Sequence, residues 1–183
     1  DIIPITDCLV QPELSVKIIN RTKALLQQAG LRAYNSERHQ GWIRHVLVRT
    51  SREGKAMLVL VTREPTFPQE SSIIPVLMKE FPALTSIHQN VNTGRTNVIL
   101  GRDWRRIYGA SYLEERLGPL KYRLSPSAFF QVNSPQAEVL YNVAKEMAGK
   151  GERLLDLYTG VGTIALWLAD HFDYVGGIEE NPA

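Results

Sequence analysis

The chain has 183 residues, 44% of them hydrophobic and 22% charged, with a formal net charge of +2 and a pI near 8.7. That composition excludes a disordered chain and permits a packed core in one or two domains. One cysteine excludes a disulfide framework and fits a reducing, cytoplasmic setting, and no apolar run approaches the roughly 20 residues that span a bilayer, so no membrane partner is expected.

The chain opens on Asp1-Ile2-Ile3-Pro4, which is no signal peptide, and closes on Glu180-Asn181-Pro182-Ala183 just past a strand; both ends read as cut from a longer protein. Between Glu13 and Ala29, apolar Val16, Ile19, Leu25 and Leu26 recur at roughly helical spacing, with Gly30 as a stop. Trp42–Thr50 and Ala56–Thr62 read as strands joined by a hairpin turn at Ser51-Arg52-Glu53-Gly54. A helix is expected over Ser71–Phe81, ended near Pro82. Leu84–Asn90, Asn97–Leu100, Arg106–Gly109 and Leu120–Leu124 read as further short strands, and a helix runs from about Gln136 to Met147. The expected fold class is α/β. Residues 1–122 form an α+β domain, and residues 123–183 begin a Rossmann-like cofactor domain.

The most informative stretch is Leu154-Leu155-Asp156-Leu157-Tyr158-Thr159-Gly160-Val161-Gly162-Thr163. An apolar run ends in Asp, a Gly-x-Gly turn follows, and an amphipathic helical pattern begins. Gly160 and Gly162 let the backbone turn sharply and let a ligand approach it, and amides at the helix start face that ligand. A second strand, Tyr174-Val175-Gly176-Gly177-Ile178, ends in Glu179, an acid placed to accept two ribose hydroxyls. The third glycine of a dinucleotide fingerprint is absent, and no Gly-Lys-Ser/Thr follows. With no pyrophosphate recognition, a cofactor with adenosine but no phosphate fits best, and S-adenosylmethionine leads.

Upstream, Ser125-Pro126-Ser127-Ala128-Phe129-Phe130-Gln131-Val132-Asn133-Ser134-Pro135 precedes the helix from Gln136. Taken with Leu155–Thr163 and Gly177-Ile178-Glu179, it resembles the RNA uracil-5-methyltransferase family, which makes 5-methyluridine in ribosomal and transfer RNA. The stretches from Tyr34-Asn35 to Arg44-His45-Val46, and Arg95-Thr96-Asn97-Val98-Ile99-Leu100-Gly101, look like its ribosomal-RNA branch, so the likeness covers essentially the whole chain.

The resemblance implies a reaction. A cysteine thiolate adds to C6 of uracil, the resulting enolate attacks the methyl group of S-adenosylmethionine, and a base removes the C5 proton. In the family both groups lie in the last third of the catalytic domain. No residue here matches them, so no catalytic residue is expected in this chain, and it is expected to be inactive by itself. The matching positions assign Gln131, Tyr158, Thr163, Gly160, Gly162 and Glu179 to the cofactor. Asp156 either joins them or braces the glycine loop. Phe129, Gln131 and Ser125 are the substrate-binding candidates: Gln131 can read a uracil edge, and one of Phe129 and Phe130 sits in the core while the other offers a face for stacking, Phe129 being the family's position. Asn133 and Ser134 are also candidate N-caps. Cys8 aligns with the last cysteine of the iron–sulfur site of some members. Its three companions would lie before Asp1, so a [4Fe-4S] cluster could belong only to a longer protein.

Arg44, Arg49, Arg52, Arg95, Arg102, Arg105 and Arg106 lie in the first domain, interleaved with His39, His45 and Trp104. That mixture fits phosphate contacts with some stacking. The reading is therefore part of an RNA uracil-5-methyltransferase acting on 23S ribosomal RNA. The alternatives are an S-adenosylmethionine methyltransferase with another substrate, and an RNA-binding module without catalysis. The oligomeric state is not legible.

Overall fold

The computed structural model describes residues 8–9 and 11–180; the readings of Asp1–Pro4 and of Asn181–Ala183 lie outside them. The chain divides into two compact units, Asp1–Leu113 and Glu114–Ala183.

The first unit is a four-stranded sheet with two helices. Helix α1 (Glu13–Gln28) buries Ser15, Ile18, Thr22, Leu25 and Leu26, a stripe at three- and four-residue spacing, leaving Val16 and Ile19 at its margin. Gly30 follows at φ 71° and ends it. Strands β1 (Ile43–Thr50) and β2 (Ala56–Thr62) form the expected antiparallel hairpin. Helix α2 (Glu70–Glu80) then carries the chain to β3 (Leu84–Val91), which lies parallel to β2, and β4 (Asp103–Gly109) returns antiparallel to β3. The order is β1-β2-β3-β4. Central β2 is buried along its whole length. Ala56, Leu58 and Leu60 face one core with Ile18, Leu26, Ile74, Leu77 and Ile87, while Met57, Val59 and Val61 face a second with Leu113.

The expected strand over Asn97–Leu100 is a loop. Its apolar run has no neighbouring strand to pair with. Instead Asn92 Nδ2 donates to the carbonyls of Val98 and Ile99, and Asn90 brackets Gly101 by accepting its N–H and donating to its carbonyl. Side chains satisfy the backbone groups that a ladder would have taken. Strand β4 starts three residues earlier than its sequence suggests, because Asp103, Trp104 and Arg105 pair with Val91, Asn90 and Gln89.

The second unit begins with a hairpin of β5 (Leu113–Leu117) and β6 (Leu120–Leu124). The charged sequence Leu-Glu-Glu-Arg-Leu hides β5 from a reading by composition, yet Leu113, Glu115 and Leu117 alternate inward. Leu117, Tyr122 and Leu124 share a core with Phe130, Ala137 and Tyr141. That shared core puts the hairpin with the second unit, so the division falls before Glu114 rather than after residue 122. Helix α3 (Ser134–Ala148) follows, then β7 (Gly151–Leu157), the short α4 (Thr163–Leu168) and β8 (Phe172–Ile178), with β7 and β8 parallel.

Candidate functional site

The C-terminal ends of β7 and β8 lie side by side, Asp156 opposite Gly177 and Leu157 opposite Ile178. In an open parallel sheet this is where ligands bind. The chain leaves β7 through Tyr158, which adopts φ 60° although it carries a side chain, and that side chain is 84% exposed. A bulky residue in the left-handed region is uncommon and strained. Gly160 (φ 57°) and Gly162 (φ 80°) complete the turn, and a Cβ placed on Gly160 would meet nothing within 4 Å. The loop is therefore open where a ligand would approach.

Asp156 braces it. Its Oδ2 accepts the Thr159 hydroxyl at 2.8 Å and the Ala165 N–H at 3.2 Å, tying the strand end to the first turn of α4. The Thr159 N–H donates to the Ile178 carbonyl at 3.0 Å, joining the loop to the end of β8. Glu179 Oε2 accepts the Gly160 N–H at 2.8 Å. The acid and the glycine loop, 19 residues apart in sequence, thus share one crevice.

Gly162, not Thr163, occupies the N-cap of α4. The Thr163 hydroxyl lies 3.2 Å from the Tyr141 hydroxyl, which links the start of α4 to α3. Phe129 and Phe130 split as expected: Phe130 is buried against Tyr122, ring centroids 5.4 Å apart, while Phe129 is 73% exposed. Gln131 is exposed and its side chain makes no hydrogen bond among the described residues. Ser125 Oγ accepts the Ala128 N–H, which shapes the turn before Phe129. Asn133 caps α3 by accepting the Gln136 N–H, and Ser134 is buried.

Thr159, Gly177 and Tyr141 escape a reading of sequence alone. A Cβ on Gly177 would stand 2.9 Å from Thr159 Cγ2, so the loop packs directly on the β8 backbone. The signal was present, because an interior strand glycine often marks a close approach.

In the first unit the arginines fall into two groups. Arg44 Nη1 donates to the carbonyls of Asn92 (3.1 Å) and Gly94 (2.6 Å), Nη2 donates to Thr96 (2.9 Å), and the guanidinium stacks 4.2 Å from the centroid of the Tyr34 ring. Arg105 pairs with Glu70 and donates to Gln89 Oε1. These two are spent on the fold rather than offered to phosphate. Arg95, Arg102 and Arg106 are exposed and make no hydrogen bond or ion pair among the described residues.

Cys8 is half-buried and forms no disulfide, and no cluster of metal-binding side chains occurs among the described residues. A [4Fe-4S] cluster needs four thiolates, and the chain has one, so these residues do not hold a cluster by themselves. No helix among the described residues is long and apolar enough to cross a membrane.

No established family profile matches the chain. Among curated proteins it is 39% identical over 184 residues to an uncharacterized RNA methyltransferase of Halalkalibacterium halodurans, a match covering 99% of this chain and 40% of that protein. It is 40% identical over 185 residues to another from Bacillus cereus, covering 100% of this chain and 40% of that protein. The chain thus spans about 40% of the length of the curated relatives it matches. Among solved structures it is similar to the Pyrococcus abyssi tRNA (uracil-54, C5)-methyltransferase in complex with S-adenosyl-L-homocysteine, with a TM-score of 0.81 and 30% identity over 99% of this chain and 44% of that one. The mixed α/β architecture is the fold of the matching part of that methyltransferase.

Proposed function

We propose that the chain is the RNA-facing portion and the beginning of the S-adenosylmethionine-binding domain of an RNA uracil-5-methyltransferase that forms 5-methyluridine. The observation that carries the reading is the crevice in which the Gly-x-Gly loop after β7 meets the carboxylate that follows β8. The 30% identity to a uracil-C5 methyltransferase across 99% of the chain supports it. The Tyr34–Val46 and Arg95–Gly101 stretches support 23S ribosomal RNA as substrate. Transfer RNA is the second reading, favoured by the substrate named for the Pyrococcus abyssi protein.

S-adenosylmethionine, when bound, supplies the electrophilic methyl group. The residues here would hold and orient it. Glu179 would accept the ribose hydroxyls; a carboxylate has about four lone-pair sites, and Gly160 takes one of them. Asp156 and Thr159 fix the loop, Tyr158 flanks the cofactor from its strained position, and Gly160 and Gly162 admit it. Gln131 and Phe129 would meet the uracil. Cys8 would supply one of four cluster thiolates.

Calorimetric titration with S-adenosylhomocysteine tests the cofactor half: the chain is expected to bind it at one site, and no heat of binding overturns the reading. Incubation with labelled S-adenosylmethionine and unmodified 23S ribosomal RNA or transfer RNA tests the chemistry. The 183 residues are expected to leave the RNA unlabelled, because no residue matches the nucleophile or the base. The same chain continued to the length of its relatives is expected to label C5 of a uridine, and label at any other atom excludes uracil-5 specificity.

A further inference from the structure

The sheet of the first unit gathers four chain ends at one edge. Ile43 pairs with Thr62, Thr62 with Val91, and Val91 with Asp103, so the start of β1, the ends of β2 and β3 and the start of β4 are level. Three segments lie at that end: 31–44, 62–65 and 91–104. They carry six arginines against Glu37, Glu64 and Asp103, a formal excess of three. The whole chain has a net charge of only +2, so its positive charge is concentrated here.

The segments are tied to one another. The Tyr34 hydroxyl and His39 Nδ1 are 2.7 Å apart, and Arg63 Nη1 donates to the His39 carbonyl at 2.6 Å. Arg44 lies over the Tyr34 ring and holds the carbonyls on either side of Arg95, those of Gly94 and Thr96. Burial and then the fields of Arg95, Arg63 and Arg44 keep His39 below the usual histidine pKa. The loop leads out from Asn92, whose Oδ1 accepts the Gly94 N–H, and returns at Gly101, where a Cβ would meet the Val91 carbonyl oxygen at 1.9 Å. Arg95 and Arg102 are therefore borne on a loop whose backbone is fixed before any partner arrives, and both are exposed and unpaired among the described residues. Exposed Trp104 follows at the start of β4.

We infer that this end of the sheet, centred on Arg95 and Arg102, is a docking surface for the phosphate backbone of RNA, with Trp104 beside it for base stacking. The inference rests on the proposed RNA substrate and locates where the first unit grips it. Exposed arginines on an anchored backbone, without carboxylate partners among the described residues, suit phosphate, and an indole face suits an unstacked base. Arg44, Arg63 and the Tyr34–His39 turn position the surface without contacting phosphate themselves.

Fluorescence anisotropy of the full 183-residue chain with a fluorescein-labelled single-stranded 20-mer RNA, across a salt series, tests this. Wild-type binding should weaken with salt. Arg95→Ala combined with Arg102→Ala should weaken low-salt binding by about tenfold or more and flatten the salt slope by roughly 1 per lost contact. Arg52→Ala, at the opposite end of the sheet, should leave both unchanged. Trp104→Ala should weaken binding while leaving the salt slope in place. The surface is overturned if the double variant binds as the wild type does, if Arg52→Ala is equally costly, or if the chain binds anionic phosphatidylglycerol vesicles but not RNA. S-adenosylhomocysteine titration of the same variants reads the second unit independently. A lost RNA surface with intact cofactor binding therefore separates failure of this inference from failure of the methyltransferase reading.

Discussion

Glu179 Oε2 accepts the backbone N–H of Gly160 at 2.8 Å, and Asp156 Oδ2 holds the same loop from the other strand. Two carboxylates, one at the end of each parallel strand, therefore set the loop's position, and Glu179 reaches it from an exposed site. The acid that shapes the loop is the one proposed to receive a ribose.

Glu179→Ala should weaken S-adenosylhomocysteine binding roughly tenfold to a hundredfold, since hydrogen bonds to a charged group are worth about 1.5–3 kcal/mol. Glu179→Gln keeps an acceptor for Gly160 and should recover part of the loss. Calorimetry giving wild-type affinity for both variants would remove Glu179 from the site.

Gly177→Ala brings a methyl group against Thr159, whose Cγ2 lies 2.9 Å from the added Cβ. Forced packing of this kind costs about 1–3 kcal/mol. In a Thr159→Ser background the clashing methyl is gone while the hydroxyl for Asp156 remains, so the penalty should shrink. Urea denaturation of the four proteins measures the coupling, and additive costs would show that the loop does not rest on the β8 backbone.

Arg44→Ala removes three bonds to the carbonyls of Asn92, Gly94 and Thr96 together with the stack on Tyr34. The expected cost is about 1–3 kcal/mol, since each lost partner is a charged donor. Arg44→Lys should not restore it, because an ammonium lacks the planar fork that reaches all three carbonyls. Hydrogen exchange should show faster exchange confined to the 92–101 loop. Unchanged protection there would return Arg44 to the set of ordinary surface charges.

His88 is buried in β3. The Ser86 hydroxyl spends its one proton on the Ala110 carbonyl at 2.7 Å, so His88 Nε2 donates to Ser86 Oγ, also at 2.7 Å. Burial holds the His88 pKa below the usual histidine value; the nearby Ala110 carbonyl acts in the opposite direction, and Arg106 lowers it further. The unfolded chain therefore binds a proton at a pH where the folded chain does not. Stability is full above the ordinary histidine pKa of about 6.5 and is lost as pH falls through it toward the lower folded value. His39 and His45 are shifted in the same direction. The urea midpoint should fall between pH 7.5 and 5.5, and His88→Gln should flatten that fall. An identical pH profile in the variant would show that His88 does not contribute.

The hairpin of β1 and β2, the extent of α1 and the strand–glycine–helix turn were legible in the sequence because each is governed by local rules. Apolar spacing sets the helix stripe, Gly54 permits the turn at φ 75°, and Gly160 and Gly162 supply two left-handed positions. The turn after β7 follows from the same local chemistry, which is why the strand, the two glycines and the helix start could be named together before their contacts were known.

Only the tertiary structure decided the rest, because those features depend on partners distant along the chain. Asn97–Leu100 has strand-like composition but no strand to pair with, and Asn90 and Asn92 hold it as a loop instead. The β5–β6 hairpin joins the second unit because Leu117, Tyr122 and Leu124 find their apolar neighbours on α3 and before it. Among the arginines, composition is uniform and environment is not: Arg44 meets loop carbonyls 48 to 52 residues away, and Arg105 meets Glu70 35 residues away, while Arg95 and Arg102 meet solvent. A sequence fixes which residues can donate, accept or stack. Which of them do so within the fold, and which stay available to a partner, is set by the long-range contacts that satisfy some groups and leave others exposed.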